Sequence, residues 1–196
     1  EAEVMLPTTL PALTALRVRA AACGEHHTAF LTASGEVFTC GLGQFGALGH
    51  GSEEREARPR RVEAIAAETA VGVACGWRHT AALTTDGALY LWGHGGFGQL
   101  GHGAQLGGGV PRAVAALRHL RVVRVACAAH TLALTAQGEL YSWGHGKQGQ
   151  LGHGGSTSEA TPRRVEALRH TRVVGLAGGH FHSLALAEDD TVYTWG

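Results

Sequence analysis

The sequence predicts an all-β chain: a β-propeller of four-stranded antiparallel blades, holding about half of a ring as three full repeats plus a partial fourth. Three observations predict it. One segment is written four times. The prolines that precede it keep a constant spacing. Each copy divides into short apolar runs separated by turn residues, with no sustained helical periodicity.

The clearest copy is CGWRHTAALTTDGALYLWGHGGFGQLGHG, Cys75 to Gly103. It recurs upstream from Cys23 to Gly51 and downstream from Cys127 to Gly154, and a fourth copy starts at Gly178. Pro7, Pro59, Pro111 and Pro162 each stand 16 residues before the first position of a copy, which gives periods of 52, 52 and 51. The missing residue falls between Cys127 and His130. The repeats therefore run 7–58, 59–110, 111–161 and, in part, 162–196. Repetition at this length means stacked supersecondary units, each burying its apolar faces against its neighbours. The chain reads as a window on a longer array, because an open half-propeller would expose both terminal blade faces.

Within each unit the elements follow in order. Val71–Cys75 and Val122–Cys127 supply a first strand. His79–Thr84 is apolar on both faces at its centre, as is Leu132–Leu134, so the second strand is expected to be buried between neighbouring sheets. A tight turn follows at Ser34-Gly35, Asp86-Gly87, Gln137-Gly138 and Asp189-Asp190, where the second residue must accept positive φ. Ala88–Trp92 and Glu139–Trp143 form a third strand, and a fourth is placed around Pro-Arg-Arg-Val at 59–62 and 162–165. The nearest approach to a helix, Val62–Thr69, is too short.

Composition narrows the function classes. The chain has 196 residues, 44% hydrophobic, enough for a sizeable core. Sixteen basic and sixteen acidic residues cancel, which argues against direct nucleic-acid binding and against an anionic membrane surface. No apolar run reaches membrane-spanning length. The four cysteines, Cys23, Cys40, Cys75 and Cys127, form neither paired positions within a unit nor close C-x-x-C pairs. They read as small buried thiols in a reducing, intracellular setting, cytoplasmic or nuclear.

The runs Cys-Gly-x-x-His-Thr, Leu-Tyr-x-Trp-Gly and Gly-Gln-Leu-Gly, repeated from about Pro7 to Gly196, resemble the regulator of chromosome condensation repeat. That resemblance implies a propeller that usually closes seven blades, about 360 residues at this period. The remaining blades are then expected from the same chain or from a partner. One departure is regular: Gly43, Gly95 and Gly146 stand where the family usually has Asn, and a shared tolerance for left-handed φ is the expected reason.

Thirteen histidines raise the question of metal or catalysis. His27, His79, His130 and His182 hold one repeat position, and His50, His102 and His153 another, a set that equivalent places on separate blades could bring round a central channel. A residue needed once per blade is structural; the first set is expected to bond backbone of the next loop. No carboxylate cluster accompanies them, so no metal site is expected. The glycine loops at 93–98 and 144–149 lack a following helix to aim at phosphate. No catalytic residue and no cofactor is expected.

The positions the repeat leaves free are Glu25-His26, Trp77-Arg78 and His180-Phe181, with the third copy reduced to Ala128-Ala129. Equivalent loops share one face of a propeller. These six residues are the candidate partner-binding face, with Trp77 beside Arg78 either an interface anchor or packing between blades. Ser52–Arg58 reads as a solvated variable loop. The resemblance implies a non-catalytic protein-protein interaction scaffold, with protein partners that include a small GTPase if guanine-nucleotide exchange is retained. That exchange is expected to need a protruding insertion, which units of 51–52 residues lack. Light sensing is a further alternative, since Gly76–Thr80 is similar to the motif repeated in plant ultraviolet-B photoreceptors. Glu25 and Ala129 at the neighbouring positions prevent a tryptophan cluster.

Overall fold

A computed structural model describes Leu6 and residues 8–196. Pro7, the expected start of the first repeat, lies outside the described residues. Four antiparallel sheets follow one another along the chain. The first holds β1 (Val18–Cys23), β2 (His27–Thr32), β3 (Val37–Gly41) and β4 (Glu56–Arg61), in that order. The second holds β5 (Ala70–Cys75), β6 (His79–Thr84), β7 (Leu89–Gly93) and β8 (Gly108–Ala113), and the third β9 (Val122–Cys127), β10 (His130–Thr135), β11 (Leu140–Gly144) and β12 (Glu159–Arg164). The fourth has three strands, β13 (Val173–Gly178), β14 (Ser183–Ala187) and β15 (Val192–Trp195). These are the blades of a propeller.

The sheets straddle the proline-phased units. Pro59, Pro111 and Pro162 lie in β4, β8 and β12, each the outer strand of the preceding blade. An edge strand is where proline is tolerated, because its missing N–H removes no ladder bond to a further strand. The hairpin turns behave as read: Gly35, Gly87 and Gly138 take φ of 82°, 89° and 83°, and Asp190 takes 65° in the fourth blade. The segment after β4 makes only a single 3-10 turn, Glu63–Ile65, repeated at Ala115–Leu117 and Glu166–Leu168. Each turn drops one aliphatic residue, Ile65, Leu117 or Leu168, into a core.

The core is split into three clusters, one at each junction between blades. At the central junction Leu83, Leu89 and Leu91 of the second blade meet Ala133 and Trp143 of the third. The second strands β6 and β10 are buried at every position, as their two-sided apolar pattern requires. The first strands pack against one another from blade to blade, which sets them nearest the axis. Connections β1–β2 and β3–β4 leave from the same ends of their strands, so their loops share one face.

Gly43, Gly95 and Gly146 correct the expectation from the sequence. Gly43 has φ of −86°, and neither of the others has positive φ. A Cβ at these positions would collide with the carbonyl oxygens of Glu54, Leu106 and Thr157. Close approach of backbone, not left-handed conformation, demands glycine there.

Candidate functional site

The loop face is built on a repeated polar junction. The Thr80 hydroxyl donates to the Ala47 carbonyl at 2.8 Å, and its oxygen meets His27 Nε2 at 2.8 Å. Because the hydroxyl proton is already used, the imidazole must be the donor, which fixes the Nε2–H tautomer. The same arrangement joins His79, Thr131 and Gln99 O, and again His130, Ser183 and Gln150 O. Each of these carbonyls also accepts an indole N–H: Trp92 on Ala47, Trp143 on Gln99 and Trp195 on Gln150, at 2.8–2.9 Å. Gly101, at φ of 72°, lies so close under Trp143 that a Cβ would come within 2.8 Å of its Nε1. The repeated histidines thus bond a hydroxyl of the next blade, and the backbone only through it. The expected direct bond to backbone is corrected.

Burial holds these histidines neutral. Desolvation pulls His27 and His130 down to about 4 and His79 to about 3. The buried Nδ1 atoms of His79 and His130 have no partner, so a proton there would enter an unsolvated site. His182, on the last described blade, is exposed. His50 and His153 do not line the axis either. They bond Thr39 and Ser142 on the third strands β3 and β11, at 3.1 and 3.0 Å. Among the described residues no three His, Cys, Asp or Glu side chains group as metal ligands. All four cysteines are free thiols. Cys23, at the end of β1, is exposed, a correction to its reading as buried, and Cys40, Cys75 and Cys127 are half-buried. Burial pushes the Cys75 thiol up to about 12.

The six candidate residues lie on the loop face. Arg78 Nε donates to Glu25 Oε2 at 2.9 Å, joining the first and second blades. That guanidinium holds the Glu25 carboxyl below its ordinary range. His26 lies 3.7 Å from the same carboxylate and is exposed. Trp77 makes an edge contact with His180 of the fourth blade, ring centroids 3.9 Å apart, and a second with Phe181 at 5.7 Å. It does so across the third blade, where the shortened loop offers only Ala128 and Ala129.

The structure adds four residues to this face that the sequence reading passed over: Phe45, His94, Phe97 and His145. They continue the row of rings, Phe45 to His94 at 4.7 Å, His94 to Phe97 at 5.7 Å, Phe97 to His145 at 4.7 Å and His145 to Phe181 at 5.9 Å. Phe45, Phe97 and Phe181 remain 38%, 37% and 39% exposed, enough to meet a partner. The Arg78 guanidinium sits over Phe45, 5.3 Å from its centroid. The signal was present in the variable positions of the glycine loops, which lie on the same face as the Cys-Gly-x-x-His loops. Part of Ser52–Arg58, read as loop, is strand: Glu56–Arg58 belongs to β4.

Gln99 and Gln150 fix the two central histidines. Gln99 Oε1 accepts the Phe97 N–H at 3.0 Å, so its amide turns Nε2 toward His94 Nδ1, 2.7 Å away. Gln150 does the same between Gln148 N–H and His145. The amide cannot flip without losing the backbone bond, so both imidazoles are held as neutral Nε2–H tautomers. Desolvation lowers both below the ordinary histidine value. In the first blade the pair changes together, to Leu42 and Ala47.

The Regulator of chromosome condensation (RCC1) repeat matches residues 34–83, 86–134 and 137–186. The chain belongs to the RCC1-repeat family. It is 40% identical over 193 residues to the E3 ubiquitin-protein ligase HERC2 of Homo sapiens, covering 97% of this chain and 4% of that protein. It is 36% identical over 193 residues to the ultraviolet-B receptor UVR8 of Arabidopsis thaliana, covering 98% of this chain and 44% of the receptor. The structure of Prp20p from Saccharomyces cerevisiae, a protein with binding properties toward Gsp1p and histones, superposes with a TM-score of 0.82 at 26% identity. That match covers 95% of this chain and 47% of Prp20p. The RCC1 repeats here thus span less than half the length of each of these proteins. Among the described residues no helix is long and apolar enough to cross a membrane.

Proposed function

We propose that this RCC1-repeat segment is a non-catalytic scaffold that docks protein partners on the loop face carrying Glu25, His26, Trp77, Arg78, His180 and Phe181. The observation that carries the reading is the row of seven rings across that face, its three phenylalanines each more than a third exposed. Aromatic residues beside arginine are what protein interfaces concentrate at their centres. The balanced charge supports protein partners over nucleic acid or membrane, and four free thiols support an intracellular setting.

The test is photo-crosslinking with benzoylphenylalanine in place of Glu25 or Phe181, against the same residue at Ser34 on the opposite face. Partners are expected to crosslink from the first two positions only. Capture from Ser34 alone would move the interface to the hairpin-turn face. Trp77→Ala is expected to weaken binding of a captured partner by about 2 kcal/mol while melting temperature stays within a few degrees.

A second reading, exchange of guanine nucleotide on a small GTPase, draws support from the likeness to Prp20p. It predicts accelerated nucleotide release from a small GTPase, abolished by Trp77→Ala. Light sensing is not favoured: the ring neighbours of Trp77 are His180 and Phe181, and the other three tryptophans donate to junction carbonyls.

A further inference from the structure

The shortened third loop makes a site. In the first two blades the residue after Cys-Gly reaches forward with its main-chain N–H, Glu25 to the Trp77 carbonyl at 3.0 Å and Trp77 to the Ala128 carbonyl at 3.1 Å. The third loop lacks that residue. Among the described residues no main-chain bond joins 128–129 to 179–182. The side chain that would have stood there is missing as well. What remains is a cleft of about 750 Å3 at the mouth of the channel. Small residues make up much of its lining: Gly76, Ala128, Ala129, Gly178 and Gly179, with the thiols of Cys23, Cys75 and Cys127. Its walls are Trp77, Phe97, His94 and His180.

We infer that this cleft receives an uncharged aromatic side chain, phenylalanine, tyrosine or tryptophan, projected by a protein partner. The inference rests on the scaffold reading and specifies the chemistry of its central contact. Charge selects the occupant. Arg78 is already engaged by Glu25 and by the Phe45 ring. Glu25 is correspondingly neutralised, so neither an acidic nor a basic side chain finds an unpaired opposite charge on this rim. His94 presents a neutral ring because Gln99 occupies its Nδ1. A cation would also meet the Arg78 charge at the cleft edge. A planar apolar ring instead continues the edge-to-face row, in a cleft lined by Trp77 and Phe97 together with glycines, alanines and cysteine thiols. The volume lies within the range of specific ligand sites.

The test is selection of a random-peptide phage library on the immobilised protein, followed by fluorescence anisotropy with the recovered peptides. Recovered sequences are expected to share one Phe, Tyr or Trp, and replacing it by alanine is expected to weaken binding at least tenfold. Phe97→Ala and Trp77→Ala should each cost at least tenfold, while Trp77→Phe keeps most of the affinity. Far-ultraviolet circular dichroism verifies the fold of each variant; if Trp77→Ala unfolds, Phe97→Ala decides. An acidic or basic consensus without an aromatic residue overturns the inference, as does failure to recover peptides. Aromatic peptides that bind both variants normally overturn the cleft while leaving the scaffold reading to the crosslinking test.

Discussion

His79 shows how a residue can be recurrent without being catalytic. Its ring is fully buried, donates to Thr131 Oγ1 at 3.0 Å, and leaves Nδ1 bare. His79→Ala is expected to cost about 1–3 kcal/mol in urea unfolding, through the lost bond and the space left behind. Leu83→Ala, 4% exposed at the centre of its cluster, is expected to cost about 2–5 kcal/mol by the same measurement. The junction carbonyl gives a sharper test. Gln99 O accepts from both Thr131 and Trp143. Thr131→Val or Trp143→Phe alone leaves it one partner; Thr131→Val also strands the buried His79 Nε2–H, so it should cost about 1–3 kcal/mol, and Trp143→Phe should cost mainly the packing of the lost ring. The double variant leaves a buried acceptor unsatisfied and should lose about 1 kcal/mol or more beyond the sum. Strict additivity would mean the carbonyl finds another donor.

At the scale of the element, the strands were legible because their chemistry is local. The β6 pattern His-Thr-Ala-Ala-Leu-Thr reads as two-sided burial, and the structure buries all six residues. The turn at Asp86-Gly87 reads directly from the φ its glycine must take. Sheet membership of the proline strand was not legible, since pairing of β4 with β3 is a relation between segments that residue type does not record. The candidate site was half visible. Trp77 stood out as a free position, but its meeting with His180 depends on how far apart two blades sit. The glycine loops hid His94 and His145 among turn residues. These loops carry their own prediction. Protonation of His94 or His145 sets a second N–H against the amide of Gln99 or Gln150. Histidine NMR titration should find both below the usual value, and Gln99→Ala should raise His94 by removing part of its burial.

Across the whole molecule, the buried histidines set the acid limit. Their folded values, about 4, 3 and 4 for His27, His79 and His130, lie below the unfolded value near 6.5. The unfolded chain therefore binds more protons between those limits. The stability these groups contribute is complete above about pH 7 and is lost as pH falls through 6.5 toward 4, by about 1.4 kcal/mol per pH unit for each. Thermal melts from pH 7.5 to 4.5 should show a steep fall in melting temperature, reduced in His79→Gln. A flat profile would place the protons elsewhere.

The junctions also have a direction. At each of the three described junctions the preceding blade supplies an imidazole and a carbonyl, and the following blade a hydroxyl and an indole. The second and third blades are therefore interchangeable parts that can be duplicated or excised as whole cassettes with matching ends. The first blade is not such a cassette, because Cys40 stands where the others carry the indole. Placed in the interior of a ring, it would leave the carbonyl before it with one donor instead of two. Rings assembled by shuffling these units should weaken at each junction where a copy of the first blade follows another blade.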